Sequence, residues 1–442
     1  MSELFADIAG GLGAGTVTGI SLGLFSLTVV FYFVAMVAYC ALIATDKKMI
    51  WLIGFSSAAA GCLAETLALA LRWYASGWDH PPFTNMYESL VFFAWGIVLT
   101  YLILEIRYNI KQAGAFVIPL AFATMGLASL NPDKTISPLV PALQSIWLHL
   151  HVVTASIGYA AFMVAFGLSL LFLIRDKLPM NKIFAVCSVL NVAGFLALTK
   201  GRALFAGFPV TAVETVHGVV QKQYMPGSNP PELVMMNVPV MGMLILIAMI
   251  AYVAAALVTA SSENTKTTQS TNMPKWFFLG ATAVFTLAFV YFIYESITNP
   301  VVSIKGNPYS FALLACLWFF SAIFALINRH YDRFTVLLPS AKKLDDLAYR
   351  AIKIAFPIMT LIIVTGAIWA NQAWGRYWGW DPKETASLIT WAIYLIYLHT
   401  RITRGWTGRR TAYISIIGFI SVVFTYLGVN LLLAGLHTYA IG

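Results

Sequence analysis

Trp374, Trp378 and Trp380 fall within seven residues of W-G-R-Y-W-G-W-D-P-K-E (374–384), the segment whose residue types best suit a chemical task. The stretch is too polar to cross a membrane, is bounded by apolar runs, and has Trp369 and Trp391 at its flanks. A tryptophan-dense loop at a membrane surface is either an interfacial anchor, since indole suits the headgroup layer, or a platform for a large flat ligand. Histidine placement bears on the choice. His151 lies near the end of one apolar run and His437 just past the end of the last, in G-L-H-T-Y. The charge pattern puts both on the side where the tryptophan loop opens. A single histidine there is accounted for by a hydrogen bond at a helix end. Two beside an indole-rich loop match what an iron porphyrin requires, namely imidazole ligands and flat aromatic walls.

His149 stands two residues from His151, which on a helix turns it about 200° away. Only one of the two faces the loop, and the sequence does not choose between them. Asp381-Pro382-Lys383-Glu384 reads as N-cap, proline at the first helical position and glutamate at the third, a capping box that already gives Asp381 a structural task. The spacing of Trp374 and Trp378 predicts that they stack on one side of a helical turn. Arg376 and Lys383 are placed either to pair with carboxylates of a ligand or to be solvated. His399 lies in the next apolar run, close to Arg401 and Arg404, toward the opposite half of the membrane. An ionisable group at such depth is a functional candidate, in competition with a neutral imidazole bonded to a neighbouring helix. His80, His217 and His330 receive no role.

These residues need a membrane scaffold to position them. Of 442 residues, 60% are hydrophobic and 10% charged, against about a quarter charged in soluble chains. With about 20 apolar residues needed per crossing, the chain holds about twelve candidate spans, at 20–44, 50–74, 86–106, 114–130, 146–174, 183–199, 236–260, 276–295, 309–328, 351–372, 386–403 and 412–435. The first run is too long and too late for a cleaved signal. Nineteen of the 27 Lys and Arg residues, among them Lys47, Lys48, Arg107, Arg175, Lys343, Arg401 and Arg409, fall in one alternating set of connections, and eight in the other. The positive-inside bias puts the larger set in the cytoplasm. The expectation is an all-α polytopic membrane protein of about twelve transmembrane helices, with both termini and the tryptophan loop on the outer side. The net charge of +9 is mostly this topological signal. A nucleic-acid surface would need clustered bases on a soluble face, which is absent. Cys40, Cys62, Cys187 and Cys316 are isolated in apolar runs, with no C-x-x-C pair and no C-x-x-C-H. They read as small buried hydrophobes, so any thiol reductant is another protein.

Residues 261–275 read as a polar linker, and 201–235, with P-G-S-N-P-P at 226–231, as the longest outer connection. Residues 329–350 suggest an amphipathic surface helix leading into the following span. There is no clear internal repeat.

The segment W-G-R-Y-W-G-W-D-P-K-E-T-A-S-L-I-T-W resembles the "WWD" signature of haem-handling proteins in cytochrome c maturation. F-T-N-M-Y-E-S at 83–89, W-L-H-L-H-V at 147–152, L-D-D-L-A-Y-R at 344–350, G-A-I-W-A at 366–370 and G-L-H-T-Y resemble the CcsA/ResC-type subunit of the system II cytochrome c synthase. The resemblance covers roughly 1–180 and 340–442, leaving about 183–330 as an inserted set of four extra spans. It implies three parts: helices 1–180 with an outer ligand histidine, inserted helices 181–340, and a haem-handling module 341–442. It implies that His151 and His437 bind haem b axially beneath the loop of Trp374, Trp378, Trp380 and Asp381, and that His399 contributes to an inner haem site. Haem would cross to the outer face and be joined to the C-x-x-C-H thiols of an apocytochrome c, making the chain a subunit of a holocytochrome c synthase. The partners implied are a separate CcsB/ResB-type chain, the apocytochrome, a thioredoxin-like reductant and membrane lipid, with no nucleic acid. A bacterial inner membrane or a thylakoid membrane suits this topology. The same signature also suits a haem exporter or chaperone that hands its cargo to a separate synthase. A secondary transporter would show paired Gly/Pro-interrupted helices, which the sequence lacks.

Overall fold

The fold is given by a computed structural model, which describes residues 14–77, 81–82, 86–130, 136, 144–199, 214–216, 219–221, 234–235, 239–264, 272–298, 304–305 and 308–429. In lipid, backbone polar groups must be satisfied within a segment, so long apolar runs fold as helices. Each of the twelve apolar stretches carries one. Eight helices among the described residues are long and apolar enough to cross a membrane, and the chain is a polytopic, essentially all-helical membrane protein. It divides into two compact units, Met1–Lys177 with Asp332–Gly442, and Leu178–Tyr331.

The first unit contains α1 (Ala14–Ala41), α2 (Lys48–Ser76), α3 (Met86–Tyr108), α4 (Gly114–Leu130) and α5 (Ile146–Arg175). In chain order α6 to α9 belong to the second unit. The first resumes with most of α10 (Tyr331–Leu337), then α11 (Ala341–Trp374), α12 (Pro382–Thr403) and α13 (Arg409–Val423). Its centre is α5, whose residues from Gly158 to Ile174 are almost continuously buried against α3, α11 and α13. The α5–α11 seam is antiparallel. Ser145, which caps α5 by accepting from the Trp147 N–H at 3.2 Å, donates its hydroxyl to Gln372 near the end of α11. Between three and four turns further along α5, Gly158 lies against Ile358 and Ile362. On α11 the buried positions Leu344, Ala348, Ala351, Ala355, Met359, Ile362, Thr365 and Trp369 recur at helical spacing and form the matching stripe. Small residues at such seams let helices approach where lipid supplies no hydrophobic drive.

Polar side chains join the other helices. Tyr32 of α1 donates to the buried Glu65 of α2, and Tyr39 donates to Glu105 of α3, which also accepts from Trp51 Nε1 at 2.7 Å. Arg72 and Glu88 form a buried pair at 2.7 Å between α2 and α3. Ser169 donates to Ser415 at 2.9 Å, joining α5 to α13, and the Tyr394 ring of α12 stacks on Phe162 with centroids 3.7 Å apart.

The second unit holds α6 (Met180–Thr199), α7 (Pro239–Asn264), α8 (Met273–Thr298) and α9 (Pro308–Arg329). Asn191 of α6 donates to Ser321 of α9 at 2.9 Å, and Tyr252 of α7 bonds Thr282 of α8 at 3.2 Å. Two short antiparallel ladders depart from the all-α expectation: β1 (Glu214–Val216) with β2 (Val219–Gln221), and β3 (Val234–Met235) with β4 (Ile304–Lys305).

Two readings of the connections change. The polar linker expected at 261–275 is shorter, because α7 runs on through Asn264 and α8 begins at Met273; Ser and Thr there still permit helix. The amphipathic segment expected at 329–350 does lead into the following span, with Lys342, Lys343 and Arg350 exposed, but it starts later and is continuous with that span. After the short α10, Ser340 caps α11 by accepting from the Lys343 N–H at 3.3 Å, and the chain then runs as one helix for 34 residues. With Leu344, Asp345, Leu347 and Ala348 buried, its first turns belong to the core.

Candidate functional site

His151 sits in the second turn of α5, on the face toward α11. Its Nδ1 lies 2.8 Å from the carbonyl oxygen of Ile362. A carbonyl only accepts, so Nδ1 carries the hydrogen and the lone pair falls on Nε2, the tautomer that ligates metals through Nε2. The ring is seated on Gly366, where a Cβ would come within 2.9 Å of His151 Cε1 and Nδ1. Only a residue without a side chain leaves space for the imidazole there. One turn on, the Trp369 ring lies nearly parallel to the imidazole at 6.5 Å, and Trp369 in turn meets Trp374 edge-on at 4.8 Å. A continuous aromatic path thus runs from His151 to the start of the tryptophan loop. The geometry selects His151, of the 149/151 pair, for that path.

The loop is shaped by its two ends. Gly375, at φ +72°, takes the left-handed conformation that ends α11, with its N–H on the Asn371 carbonyl at 2.9 Å. This overturns the expectation that Trp374 and Trp378 stack on one helical turn, because the helix stops between them. Trp374 pairs with Trp369 instead, and Trp378 meets Trp380 edge-on at 5.8 Å. At the other end the capping box forms as read from sequence. Asp381 accepts from the Lys383 N–H at 3.1 Å, and Glu384 Oε2 accepts from the N–H groups of Asp381 at 3.1 Å and Gly379 at 2.7 Å. The carboxylate of Glu384 therefore folds the loop back onto the first turn of α12. Trp380, directly before the cap, is held at φ +57° and is 69% exposed. A left-handed tryptophan is strained, and such strain collects at functional sites. The indole is thus presented outward from the loop.

The charges around the loop are mixed, since the Asp381 and Glu384 carboxylates already cap the first turn of α12. The N-terminus of α12 carries the positive end of its helix dipole, and Arg376, folded over Gly379, and Lys383 stand beside it. Burial pushes the Lys383 ammonium down to about 8, with Asp381 acting in the opposite sense. Among the described residues no group of three or more His, Cys, Asp or Glu is gathered for a bare metal ion.

His399 is not brought to this site. It lies on α12, eighteen residues beyond Asp381, a rise of about 27 Å, and is exposed. His437 lies outside the described residues, as do His80 and His217. All four cysteines are free, with Cys62 and Cys187 buried. Sequence reasoning did not assign roles to Gly366, the Ile362 carbonyl or Glu384 as loop staple. The signal for the first was available: G-A-I-W-A sets a glycine three residues before Trp369 on an apolar helix, where only a close approach would call for it.

The chain matches the family described as cytochrome c assembly protein over residues 83–228 and 233–437. The match runs through residues 183–228 and 233–330, instead of stopping near 180 and resuming near 340. The middle helices are thus part of the family's pattern. The cytochrome c biogenesis protein CcsA of Gloeobacter violaceus is 32% identical over 88% of this chain and 86% of its own length. That of Synechococcus elongatus is 32% identical over 88% and 87%, and that of Marchantia polymorpha 29% identical over 92% and 93%. The chain belongs to the cytochrome c assembly protein family and is of the CcsA type.

Proposed function

We propose that this chain acts in cytochrome c maturation, carrying haem b as its substrate to the outer membrane face and holding it there for covalent attachment to the C-x-x-C-H thiols of an apocytochrome c. His151 and His437 are the axial ligands, Trp374, Trp378 and Trp380 with Asp381 form the shelf, and His399 belongs to a second haem site at the inner end of α12. The observation that carries this reading is the His151 seat: a tautomer set by the Ile362 carbonyl, a glycine that admits the ring, and indoles leading to the loop. The relatives are named as cytochrome c biogenesis proteins, which supports the role in cytochrome c maturation. In this reading the chain has about twelve spans with both termini outside, and the loop faces the compartment where c-type cytochromes mature; the excess of Lys and Arg in alternate connections supports it. The membrane is a bacterial inner membrane or a thylakoid.

In thioether formation the thiol adds across a vinyl group. The sulfur–carbon bond forms, the vinyl π bond is consumed, and the thiol hydrogen ends on the neighbouring carbon, with no net oxidation. The protein's task is to hold the two reactants in register and exclude water. The shelf orients the macrocycle, Arg376 and Lys383 take its carboxylates, and the histidines hold the iron until the substrate's own histidine replaces one. The chain contains no C-x-x-C pair, so a thioredoxin-like protein keeps the apocytochrome thiols reduced. A separate CcsB/ResB-type chain completes the synthase. Within this chain the segments 1–180, 181–340 and 341–442 divide the work, the last carrying the shelf. The test is haem retention and cytochrome c yield in His151→Ala and His437→Ala. Each should lose haem or shift its visible spectrum, and unchanged haem and yield in both would defeat the assignment.

A further inference from the structure

We propose that Asp345 is a positioning residue for His399, acting through Arg401 and the turn that joins α12 to α13. The inference rests on the reading of His399 as a haem ligand and asks what fixes that ligand in space. His399 itself is exposed, so its own side chain is not set by packing. Arg401, two residues on, is turned about 200° from it and points into the protein.

There Arg401 Nη1 lies 2.8 Å from Asp345 Oδ1 and 2.8 Å from Asp345 Oδ2, with both side chains about nine-tenths buried. Asp345 Oδ1 also accepts from the Gly408 N–H at 3.3 Å and from the Thr411 hydroxyl at 3.2 Å. One carboxylate thus joins the first turns of α11, the last turn of α12, the α12–α13 connection and the first turn of α13. The Arg401 guanidinium also covers the Tyr349 ring at 4.8 Å, and its Nη2 reaches Asp346 at 3.5 Å. The backbone around His399 is closed as well. Its carbonyl accepts from the Thr403 hydroxyl, and the Thr400 carbonyl accepts from the N–H groups of Arg404 and Trp406, each at 3.1 Å.

The turn is therefore bolted on its inward face while it presents His399 on its outward face. Removing the Asp345 charge leaves the buried guanidinium with only the half-exposed Asp346 at 3.5 Å as counter-charge, so it shifts toward that side and toward water. With side chains reaching about 6 Å from the helix axis, a rotation of about 10° at that turn carries the imidazole about 1 Å. Loss of groups that orient a metal ligand commonly weakens binding by about 10- to 100-fold.

The experiment uses the full chain co-expressed with its partner and purified from membranes. Haem content and the reduced absorption spectrum are read for His399→Gly, Asp345→Asn and the Asp345→Asn/Arg401→Gln pair, with and without added imidazole. His399→Gly should lose one spectral component and regain it with imidazole. Asp345→Asn should lose that same component, with haem retention down about tenfold, and imidazole should restore it, because the pocket persists and only the ligand has shifted. The double variant should be no worse than the single. A wild-type spectrum in Asp345→Asn, or a haem loss that imidazole does not restore, overturns the proposal. A wild-type spectrum in His399→Gly instead overturns the ligand reading beneath it. Should Asp345→Asn fail to accumulate, Arg401→Lys, which keeps the charge without the planar fork, must shift the same component, and an unshifted spectrum refutes the role.

Discussion

Replacing Gly366 by alanine separates the fold from the site more cleanly than any histidine substitution. A methyl group there would lie 2.9 Å from His151 Cε1 and Nδ1, where unstrained carbon contacts are about 3.5–4.0 Å. Parting the two helices would give up the close packing of Gly158 of α5 on Ile358 and Ile362 of α11. The imidazole must therefore retreat by about 0.7 Å. The Nδ1 bond to the Ile362 carbonyl, 2.8 Å in the native arrangement, then stretches to about 3.5 Å and ceases to be a hydrogen bond. Its loss costs about 0.5–1.5 kcal/mol, while alanine in place of glycine within a helix returns about 1 kcal/mol. The variant should thus fold and accumulate nearly as the parent does. Haem retention should nonetheless fall by about 10- to 100-fold, the usual loss when the partner orienting a metal-ligating histidine is removed. Purification from membranes, a haem assay and thermal unfolding in detergent read the two quantities separately. Gly158→Ala is the control, since it crowds the same seam without touching His151. If Gly366→Ala and Gly366→Val both keep parental haem content and cytochrome c yield, the seat on α11 does not position a ligand.

Three further outcomes follow from other parts of the structure. Glu384→Ala removes the acceptor for the Gly379 and Asp381 N–H groups, at a cost of about 1 kcal/mol for a lost cap; amide exchange over residues 376–381 should accelerate and haem retention weaken, and unchanged exchange would refute the staple. Lys383 is cationic below about 8 and neutral above it, and an anion that pairs with it draws a proton back onto it. Affinity for haem carboxylates should therefore be flat at low pH and decline as pH rises through about 8, and a titration of Lys383→Met should lose that decline. In the native protein, an equal affinity on both sides of that pH would count against the pairing. Arg72→Met breaks the buried Arg72–Glu88 pair, a loss of up to about 3–5 kcal/mol, visible as a lower unfolding temperature. Adding Glu88→Leu should recover most of it, and a double variant less stable than the single would contradict the argument.

The helices were legible because bilayer physics leaves so few alternatives. A run such as Ile146–Arg175, predominantly apolar despite His149 and His151, must be a helix in lipid, and its position is readable to within a few residues. What sequence did not reveal is partner choice. Most of these helices are apolar on every side, so no hydrophobic stripe says that α5 packs on α11 and α13. The information lies in sparse features, a glycine at 158 or 366 and a serine pair at 169 and 415, whose meaning appears only when the opposing helix is known. The segment 341–350 misled for a related reason. Its lysines marked it as surface, yet Leu344, Asp345 and Ala348 on the other face are buried and it continues without a break into the span.

Within the site, the cap was readable and the loop before it was not. Asp381, Pro382 and Glu384 act on the helix they begin, through local geometry that residue type alone specifies. The fate of Trp374 and Trp378 depended on whether the residue after Trp374 continued the helix, and Gly375 in the left-handed region decided against it. A glycine directly after a long amphipathic run is a stop signal, and weighing it above the four-residue spacing would have separated the two indoles. The consequence is more than a corrected contact. Because the helix ends at Trp374, the first indole belongs to the His151 path while Trp378 and Trp380 belong to the loop held by Glu384. The shelf therefore has two independently anchored halves, one set by α11 and one by α12. The helix that anchors the second half also carries His399 at its far end, about 27 Å away, fixed through the Arg401 pair with Asp345 of α11. A displacement of α12 against α11 would thus be felt at both of its ends, which makes their seam the element through which the two proposed haem sites are held in fixed relation.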